Sequence, residues 1–373
     1  MKADHKKVLV SGASFAGLST AYWMNRFGYD VTIIEVSAAI KKGGTPVNIL
    51  GQTIDIVKRM GLFDQIKANN ITMQVMEFKN DDDVTESRYL TQENRQEVDQ
   101  EEYEIERDGL LQMLYDAVKD DVTFIFSDSI TAMQETENGI QVGFKNGSHQ
   151  EFDLVFGCDG IHSAVRRLWF GPEAEYLLFL QAYFSITIVN KLLIPENTNH
   201  MYSEPGKTMM LNAYNGKTDI CFAFSAEQEI PYDYRDELQM RAIISDQFKQ
   251  AGWRAKELLE EVANSKTFYF DKLCQTRMPS WTKGRVALVG DAGYCPSPAA
   301  GRGGSIAIDG ASALAGAFEK CGGDFKKAFH EYDNSFRPFI EEIQAGVVKH
   351  GVDVLVPKTE EAIRKRNKEG FGF

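Results

Sequence analysis

The hydrophobic and polar positions near the start of the chain predict a strand, a small-residue turn and a helix. Lys7–Val10 is mostly aliphatic and predicts a short buried strand. The small residues of Gly12–Gly17 follow, and Leu18–Met24 continues with helical character. A second apolar segment, Asp30–Ile34, ends at Glu35. This order of elements predicts a strand–helix–strand unit.

Two kinds of pattern then alternate along the chain. Residues 70–104 and about 175–272 predict strands, and the second of these regions is rich in aromatic residues. Between and after them, Glu151–Phe156 and Val286–Val289 predict strands that run into glycine turns, and Phe325 begins a helical tail. The pattern therefore predicts an α/β fold: a Rossmann-like domain, an inserted antiparallel sheet and a C-terminal helical segment.

The first turn has the chemistry of a dinucleotide site. Gly12 permits a tight turn, Gly17 permits close packing of helix on sheet, and the helix N-terminus attracts a pyrophosphate. Ser14 occupies the middle glycine position of the usual G-x-G-x-x-G pattern. Glu35 follows at the spacing of a ribose-binding acid. An ordinary strand–helix–strand unit with a solvated Glu35 is the alternative.

Other candidate residues also lie beside predicted turns. Lys41 lies in a glycine-containing loop and either contacts a phosphate or is solvated. Arg107 opens a predicted helix, where a cation suggests an anionic partner or a surface salt bridge. Asp159 and Asp291 each stand in a turn after a buried strand, and Gly301–Gly304 opens a further helix. Ligands of α/β sheets bind at such strand ends.

Composition narrows the class of protein. The net charge of −13 over 373 residues argues against a nucleic-acid partner, and no run of residues is long enough to span a membrane. We expect no leader peptide, because Met1–His5 leads directly into the first strand. The five cysteines are scattered without a C-x-x-C, so we expect free thiols in the cytoplasm and no metal site.

Three motifs in this order resemble the class A FAD-dependent monooxygenases, which have the p-hydroxybenzoate hydroxylase fold. The motifs are the first glycine turn, the Asp159–Gly160 turn, and Gly290–Asp291 followed by Gly301–Gly303. The resemblance covers nearly the whole chain and implies FAD and NADPH as cofactors. The cofactor-binding residues that it implies are Gly12, Ser14, Gly17, Glu35, Lys41, Asn48, Arg107, Asp159, Asp291, Gly301 and Gly303.

Within that family the chain is most similar to the tetracycline-inactivating flavin monooxygenases. Ser280–Arg285 and the following Gly290–Pro298 carry this likeness. The chain departs from the family pattern at several positions. Tyr294 stands where many members have histidine, Arg302 where most have glutamine, Ser305 where asparagine is usual and Gly310 where aspartate is usual. Two of these departures, at 302 and 305, lie beside the expected flavin ring.

The resemblance also implies a division into domains. The FAD-binding domain would comprise 1–70, 105–174 and 274–322, the substrate domain 71–104 and 175–273, and the C-terminal helices 323–373.

The chemistry that the resemblance implies belongs to the flavin, so no catalytic side chain is predicted. NADPH would reduce FAD, and a flavin C4a-hydroperoxide would hydroxylate a polycyclic aromatic or enolic substrate. Tetracycline inactivation, and hence antibiotic resistance, is the first hypothesis. The alternatives are another aromatic or polyketide hydroxylase, an isoprenoid-type reductase and a non-catalytic flavin-binding protein.

We expect a monomer with a small-molecule substrate. Strand alternation suggests a set of residues that line the substrate pocket: Gln181, Tyr183, Tyr214, Phe222, Phe224, Pro298 and Ala299.

Overall fold

The computed structural model describes residues 6–90 and 101–370. Expectations about Met1–His5, and the part of the predicted 71–104 segment from 91 to 100, lie outside these ranges. The strands are β1 (Lys7–Ser11), β2 (Asp30–Glu35), β3 (Val47–Leu50), β4 (Val75–Lys79), β5 (Thr85–Leu90), β6 (Glu102–Ile105), β7 (Thr123–Phe126), β8 (Ile130–Glu135), β9 (Ile140–Phe144), β10 (His149–Phe152), β11 (Leu154–Gly157), β12 (Leu177–Val189), β13 (Thr198–Glu204), β14 (Lys207–Tyr214), β15 (Lys217–Ser225), β16 (Tyr269–Thr276), β17 (Thr282–Lys283) and β18 (Val286–Leu288).

The helices alternate with these strands in the first half of the chain and dominate its end. The α-helices are α1 (Phe15–Arg26), α2 (Gln52–Arg59), α3 (Phe63–Ala68), α4 (Arg107–Asp116), α5 (Ala164–Trp169), α6 (Glu237–Phe248), α7 (Ala255–Asn264), α8 (Asp291–Tyr294), α9 (Gly303–Lys320), α10 (Phe325–Gly346), α11 (Val352–Leu355) and α12 (Glu360–Glu369). A short 3₁₀ turn, Pro298–Ala300, precedes α9, and a π-helical turn, Val347–Gly351, joins α10 to α11.

The first sheet has the strand order β17-β18-β11-β1-β2-β7. Its strands are parallel except for β17, which pairs antiparallel with β18 at one edge. Val8, Leu9 and Val10 are fully buried, as expected for a parallel strand covered on both faces. The parallel arrangement brings the carboxyl ends of β1, β2, β11 and β18 to one edge.

The predicted single strand Glu151–Phe156 is wrong, because the chain makes two strands there. β10 pairs antiparallel with β9 in a three-stranded sheet, whereas β11 pairs parallel with β1 in the first sheet. Asp153 lies between them, and its carboxylate accepts a hydrogen bond from the backbone N–H of Lys7 (2.8 Å). The continuous apolar pattern conceals this change of sheet.

The second large sheet has the order β16-β12-β15-β14-β13-β4-β5. Neighbouring strands are antiparallel, except that β13 and β4 are parallel. One face, here called the outer face, packs against α6 and α7 through Phe222, Phe224 and Phe248. The other, here called the inner face, packs against Ala299 and Val347. Both faces of this sheet are therefore buried.

The C-terminal helices extend over one end of the inner face. Arg366 of α12 donates a hydrogen bond to the hydroxyl of Ser203 (3.0 Å) and lies over the ring of Phe78. No helix within 6–90 and 101–370 is long and apolar enough to cross a lipid bilayer. The predicted fold class is confirmed: an α/β domain with an inserted, mainly antiparallel sheet and a helical C-terminal segment.

Candidate functional site

Three strand ends converge at the carboxyl edge of the first sheet. Gly12 follows β1, Asp159 follows β11 and Gly290 follows β18. A Cβ on Gly12 would lie 2.5 Å from the carbonyl oxygen of Cys158 and 3.2 Å from the Cα of Asp159. A Cβ on Gly290 would lie 3.0 Å from the Cβ of Ala16 in α1. The three predicted motifs are thus in direct contact.

The first glycine turn is packed too closely for larger residues. Gly12 has a φ of +102°, which favours glycine. A Cβ on Gly17 would overlap the carbonyl oxygen of Gly12. The turn therefore holds the N-terminus of α1 against the end of β1, which is the geometry that lets backbone N–H groups approach a pyrophosphate.

The N-terminus of α1 has no capping side chain of its own. Ser14 is the N-cap residue, yet its hydroxyl makes no capping hydrogen bond, and the first turn contains no acidic residue. Unpaired N–H groups at a helix N-terminus attract anions. Ser14 is therefore compatible with a phosphate at the position where the usual pattern has glycine.

Glu35 shapes the same turn from the end of β2. One of its oxygens accepts a hydrogen bond from the N–H of Ala13 and the other from the N–H of Ser37, each at 2.9 Å. Each carboxylate oxygen retains a second lone pair, so a ribose hydroxyl can still bind. The structure thus gives Glu35 an anchoring contact that the sequence did not predict.

Arg107 begins α4 and reaches the same loop. Its guanidinium donates hydrogen bonds to the hydroxyl of Ser14 (3.2 Å) and to the carbonyl oxygens of Gly43 (2.9 Å) and Lys41 (3.2 Å). It also lies over the ring of Phe15, 5.1 Å from the centroid. Burial lowers the pKa of Arg107, but the guanidinium stays charged. This places a fixed positive charge beside the N-terminus of α1.

Asp159 is occupied within its own turn. Its carboxylate accepts hydrogen bonds from the N–H groups of Ala164 (2.8 Å) and Val165 (3.1 Å) and from the hydroxyl of Ser163. Burial raises the pKa of Asp159, while these donors oppose the shift. Asp291 is partly buried, and its desolvation likewise raises its pKa. In the structure Asp159 holds α5 in place beside Gly12.

The start of α9 combines two packed positions with two open ones. A Cβ on Gly304 would lie 2.5 Å from a methyl group of Val47, and Ser305 donates a hydrogen bond to the carbonyl oxygen of Asn48. By contrast, a Cβ on Gly301 or Gly303 would meet no atom within 4 Å. The space beside Gly301 and Gly303, here called the open strip, is therefore free of protein atoms, while the neighbouring Gly304 and Ser305 are fixed against β3.

Lys41 and Pro298 lie at the margin of this site. Both are exposed, and Lys41 takes part in the loop through its backbone carbonyl oxygen. Lys41 is thus available to a ligand that approaches from solvent.

Three predicted substrate-lining residues of β12 and β15 lie on the outer face of the sheet, whereas Ala299 packs on the inner face. Tyr183, Phe222 and Phe224 are fully buried on the outer face, among the side chains of α6 and α7. Tyr183 stacks on Phe224 at 5.2 Å, and its hydroxyl accepts a hydrogen bond from the N–H of Ile230. The residues that pack near Ala299 are their neighbours in sequence, including Phe184. The structure therefore does not bring Tyr183, Phe222 and Phe224 together with Ala299.

The remaining substrate candidates are separated by the structure. Gln181 is exposed in a bulge of β12, with a φ of +56°. Ala299 is buried against Phe184 on the inner face. Tyr214 lies at the end of β14, on the same face by strand alternation, and its hydroxyl donates to a carboxylate oxygen of Asp219 (2.9 Å).

Asp219 is a candidate that the sequence prediction missed. It is fully buried near the start of β15, as the third residue of that strand, and one of its oxygens has no hydrogen-bond partner within 6–90 and 101–370. The available signal was a carboxylate directly before the apolar segment Ile220–Phe224, because a carboxylate in a buried strand is rarely left without a partner.

The family model named FAD binding domain matches residues 5–338. A flavin-dependent monooxygenase of Legionella longbeachae is 34% identical over 342 residues, which cover 91% of this chain and 87% of that protein. Among solved structures, tetracycline destructase Tet(51) is 33% identical, with a TM-score of 0.85 over 98% of this chain and 95% of its own. Tetracycline destructase Tet(55) is 31% identical, with a TM-score of 0.86, and the match covers 100% of this chain and 96% of the Tet(55) chain.

These likenesses span nearly the whole of each protein, and they agree with the geometry at the carboxyl edge of the first sheet. The chain belongs to the FAD-binding domain family and is a class A FAD-dependent monooxygenase. Within that class it is close to the tetracycline destructases. Its cofactor is FAD.

Proposed function

We propose that the enzyme uses NADPH and dioxygen to hydroxylate a polycyclic aromatic or enolic small molecule, and that tetracycline is such a substrate. The observation that carries this proposal is the likeness to Tet(51) and Tet(55) over nearly the full length of all three chains. Both structures exceed 30% identity to this chain, at 33% and 31%.

The cofactor would be held by the residues that the structure brings together. The N-terminus of α1, with Gly12, Ser14 and Gly17, would bind the pyrophosphate, and Glu35 the adenosine ribose. The fixed charge of Arg107 would neutralise a phosphate. FAD bound there would supply the redox chemistry, accepting a hydride from NADPH and transferring one oxygen atom of dioxygen to the substrate.

The flavin ring would lie in the open strip beside Gly301 and Gly303, with Asn48 and Asp291 at its margins. The exposed Lys41 would meet NADPH, and the Asp159 turn would border both nucleotides. The substrate would bind between this strip and the inner face of the second sheet. Ala299 and the neighbouring apolar residues would exclude water from the reacting atoms.

The test is turnover of tetracycline by the FAD-loaded enzyme with NADPH and isotopically labelled dioxygen. We expect NADPH oxidation that depends on tetracycline, and a product that is heavier by one labelled oxygen atom. Unlabelled or absent product would contradict tetracycline as the substrate. Turnover of a different aromatic or polyketide compound in the same assay would then favour the alternative hydroxylase.

A further inference from the structure

Three polar side chains form a row across the inner face of the second sheet, called here the polar row. Asn199 of β13 pairs with Asn212 of β14, and Asn212 pairs with Asp219 of β15. Directly paired residues of neighbouring strands lie on the same face. Asn212 and Asp219 are 8% and 0% exposed.

Each member of the polar row has a buried oxygen without a hydrogen-bond donor in the described part of the chain. These atoms are the Oδ1 atoms of Asn199 and Asn212 and the Oδ2 atom of Asp219. Burying a polar atom without a partner costs free energy, so a ligand that supplied donors to all three oxygens would recover that cost. The row therefore offers hydrogen-bonding capacity that the protein itself leaves unused.

Among the described residues, no cationic side chain forms an ion pair with the carboxylate of Asp219. Its other oxygen accepts the hydroxyl of Tyr214, which is neutral. Lys217 lies nearby on β15, but its Nζ is paired with a carboxylate oxygen of Glu106 at 2.8 Å. A ligand that brings an O–H or N–H donor to Oδ2 of Asp219 would supply the missing contact.

The polar row lies on the inner face of the second sheet, the face that packs against Ala299 next to the open strip. Cys221, the next inner-face residue of β15, packs in the same cluster as Ala299. Asp219 lies two residues further along the strand, a distance of roughly 7 Å at the usual rise per residue. Polycyclic ligands have the length to span this distance.

We propose that the polar row determines substrate specificity, with Asp219 binding a hydroxyl or amide N–H group of the substrate and Asn212 and Asn199 extending that recognition. The inference rests on the proposed function and names the substrate class: uncharged or cationic molecules rich in hydrogen-bond donors. A substrate carboxylate is disfavoured there because it would be repelled by Asp219 and leave all three oxygens unpaired.

The test measures ligand affinity from perturbation of the flavin absorbance spectrum of the FAD-loaded protein. The probes are tetracycline and the matched pair salicylamide and salicylate, which present an amide and a carboxylate beside the same phenol. The variants are Asp219→Asn, Asp219→Ala and Asn212→Ala. The control is Thr187→Val, which removes a buried hydroxyl that likewise has no partner in the described part of the chain but lies on the outer face of the same sheet.

We expect wild type to prefer salicylamide to salicylate. The Asp219 variants should weaken binding of tetracycline and salicylamide roughly ten- to hundredfold, the range for a hydrogen bond to a charged group. Asn212→Ala should weaken both ligands less, and Thr187→Val should bind like wild type. All variants should retain FAD. Equal affinity of wild type and the Asp219 variants for both donor ligands would overturn the inference.

Together with the labelled-dioxygen assay of tetracycline turnover, these affinities separate this inference from the proposed function. Loss of the salicylamide preference in Asp219→Asn, in an enzyme that does not oxygenate tetracycline, would support the polar row and reject tetracycline as substrate. Oxygenation of tetracycline at equal affinity by wild type and the Asp219 variants would support the proposed function and reject the polar row. A wild type that prefers salicylate would also reject it.

Discussion

Gly310 of α9 lies directly against the hydroxyl of Tyr294, so that a Cβ at position 310 would overlap that oxygen. Both positions are among the departures from the family pattern noted in the sequence, where aspartate is usual at 310 and many members have histidine at 294. The structure shows that the residues at these two positions contact each other. The Tyr294 hydroxyl occupies the space that a side chain at position 310 would need. Tyr294 is fixed by Trp281 and by the hydroxyl of Tyr332, 2.9 Å from its own.

The Gly310→Ala substitution tests this contact. We expect it to lower the free energy of unfolding by about 1–3 kcal/mol, the usual cost of overpacking a core. Tyr294→Phe should relieve the clash only in part, because a Cβ would still lie 2.9 Å from the Cζ atom of the ring. Urea denaturation of the two single variants and the double variant measures the coupling. Strictly additive effects would contradict direct contact.

The Gly303→Ala substitution tests where the flavin lies. A Cβ at 303 meets no protein atom within 4 Å, so the fold should tolerate it. If the flavin occupies that strip, the methyl group should weaken FAD binding at least tenfold, measured by quenching of flavin fluorescence. Gly316→Ala is the matched control, because Gly316 lies on the same helix and is also open. Normal FAD affinity in Gly303→Ala would place the flavin elsewhere.

The Arg107→Ala substitution tests the proposed charge beside the pyrophosphate. It removes three hydrogen bonds to the loop around Ser14 and Gly43 and the cation at the N-terminus of α1. We expect FAD affinity to fall roughly ten- to hundredfold, as for a charge-assisted hydrogen bond. Arg167→Ala, at an exposed arginine, should leave the affinity unchanged. Equal FAD affinities for the two variants would refute the role of Arg107.

The polar row should make the stability of the protein depend on pH through Asp219. Burial is the main cause that raises the pKa of Asp219 to about 7, and the nearby carboxylates of Glu104 and Glu106 raise it further. The hydrogen bond from Tyr214 and the charge of Lys217 act in the opposite direction and lower the pKa. The ionised form of Asp219 is disfavoured in the folded state. The free energy of unfolding therefore falls as pH rises from the ordinary carboxyl pKa towards 7, and this loss is complete above about pH 7.

Asp219→Asn should therefore be more stable than wild type in the absence of substrate. Its advantage should grow by about 2 kcal/mol between about pH 5.5 and about pH 8. Urea denaturation of the FAD-loaded proteins at the two pH values measures the difference. A variant less stable than wild type at both values would mean that Asp219 serves the fold through Tyr214 rather than a ligand.

His162 should contribute stability with the opposite pH dependence. Burial alone would lower its pKa, but hydrogen bonds to Asp271 (3.0 Å) and Glu173 (3.2 Å) outweigh this and raise the pKa to about 9. The contribution is present below the unfolded pKa of about 6.5 and is lost as pH rises through about 9. The contact joins the Asp159 turn to β16, and so the two large sheets.

Replacing His162 by Gln should thus destabilise the protein most in mildly acidic solution. We expect wild type to exceed His162→Gln by on the order of 3 kcal/mol near pH 6, with the difference largely gone near pH 10. Thermal unfolding at both pH values measures it. A difference that does not change with pH would show that the protonated imidazole is not the stabilising form.

The dinucleotide edge could be predicted from the sequence because glycine spacing and strand order carry its geometry. Gly12, Gly17 and Glu35 all lie where a strand–helix–strand unit requires them. The face of the second sheet could not be predicted, since β12 is buried on both sides and both Tyr183 and Phe184 are apolar. The bulge at Gln181 further shifts the register, and no sequence periodicity reveals it.

The central claim is tested most directly by anaerobic reduction of the bound FAD with NADPH, with and without tetracycline, followed by admission of oxygen. We predict that NADPH bleaches the flavin absorbance faster when tetracycline is present, and that tetracycline then gains one oxygen atom by mass. A reconstituted protein that holds no flavin, or whose flavin NADPH does not reduce, would contradict the account built on Gly12, Arg107 and Gly303.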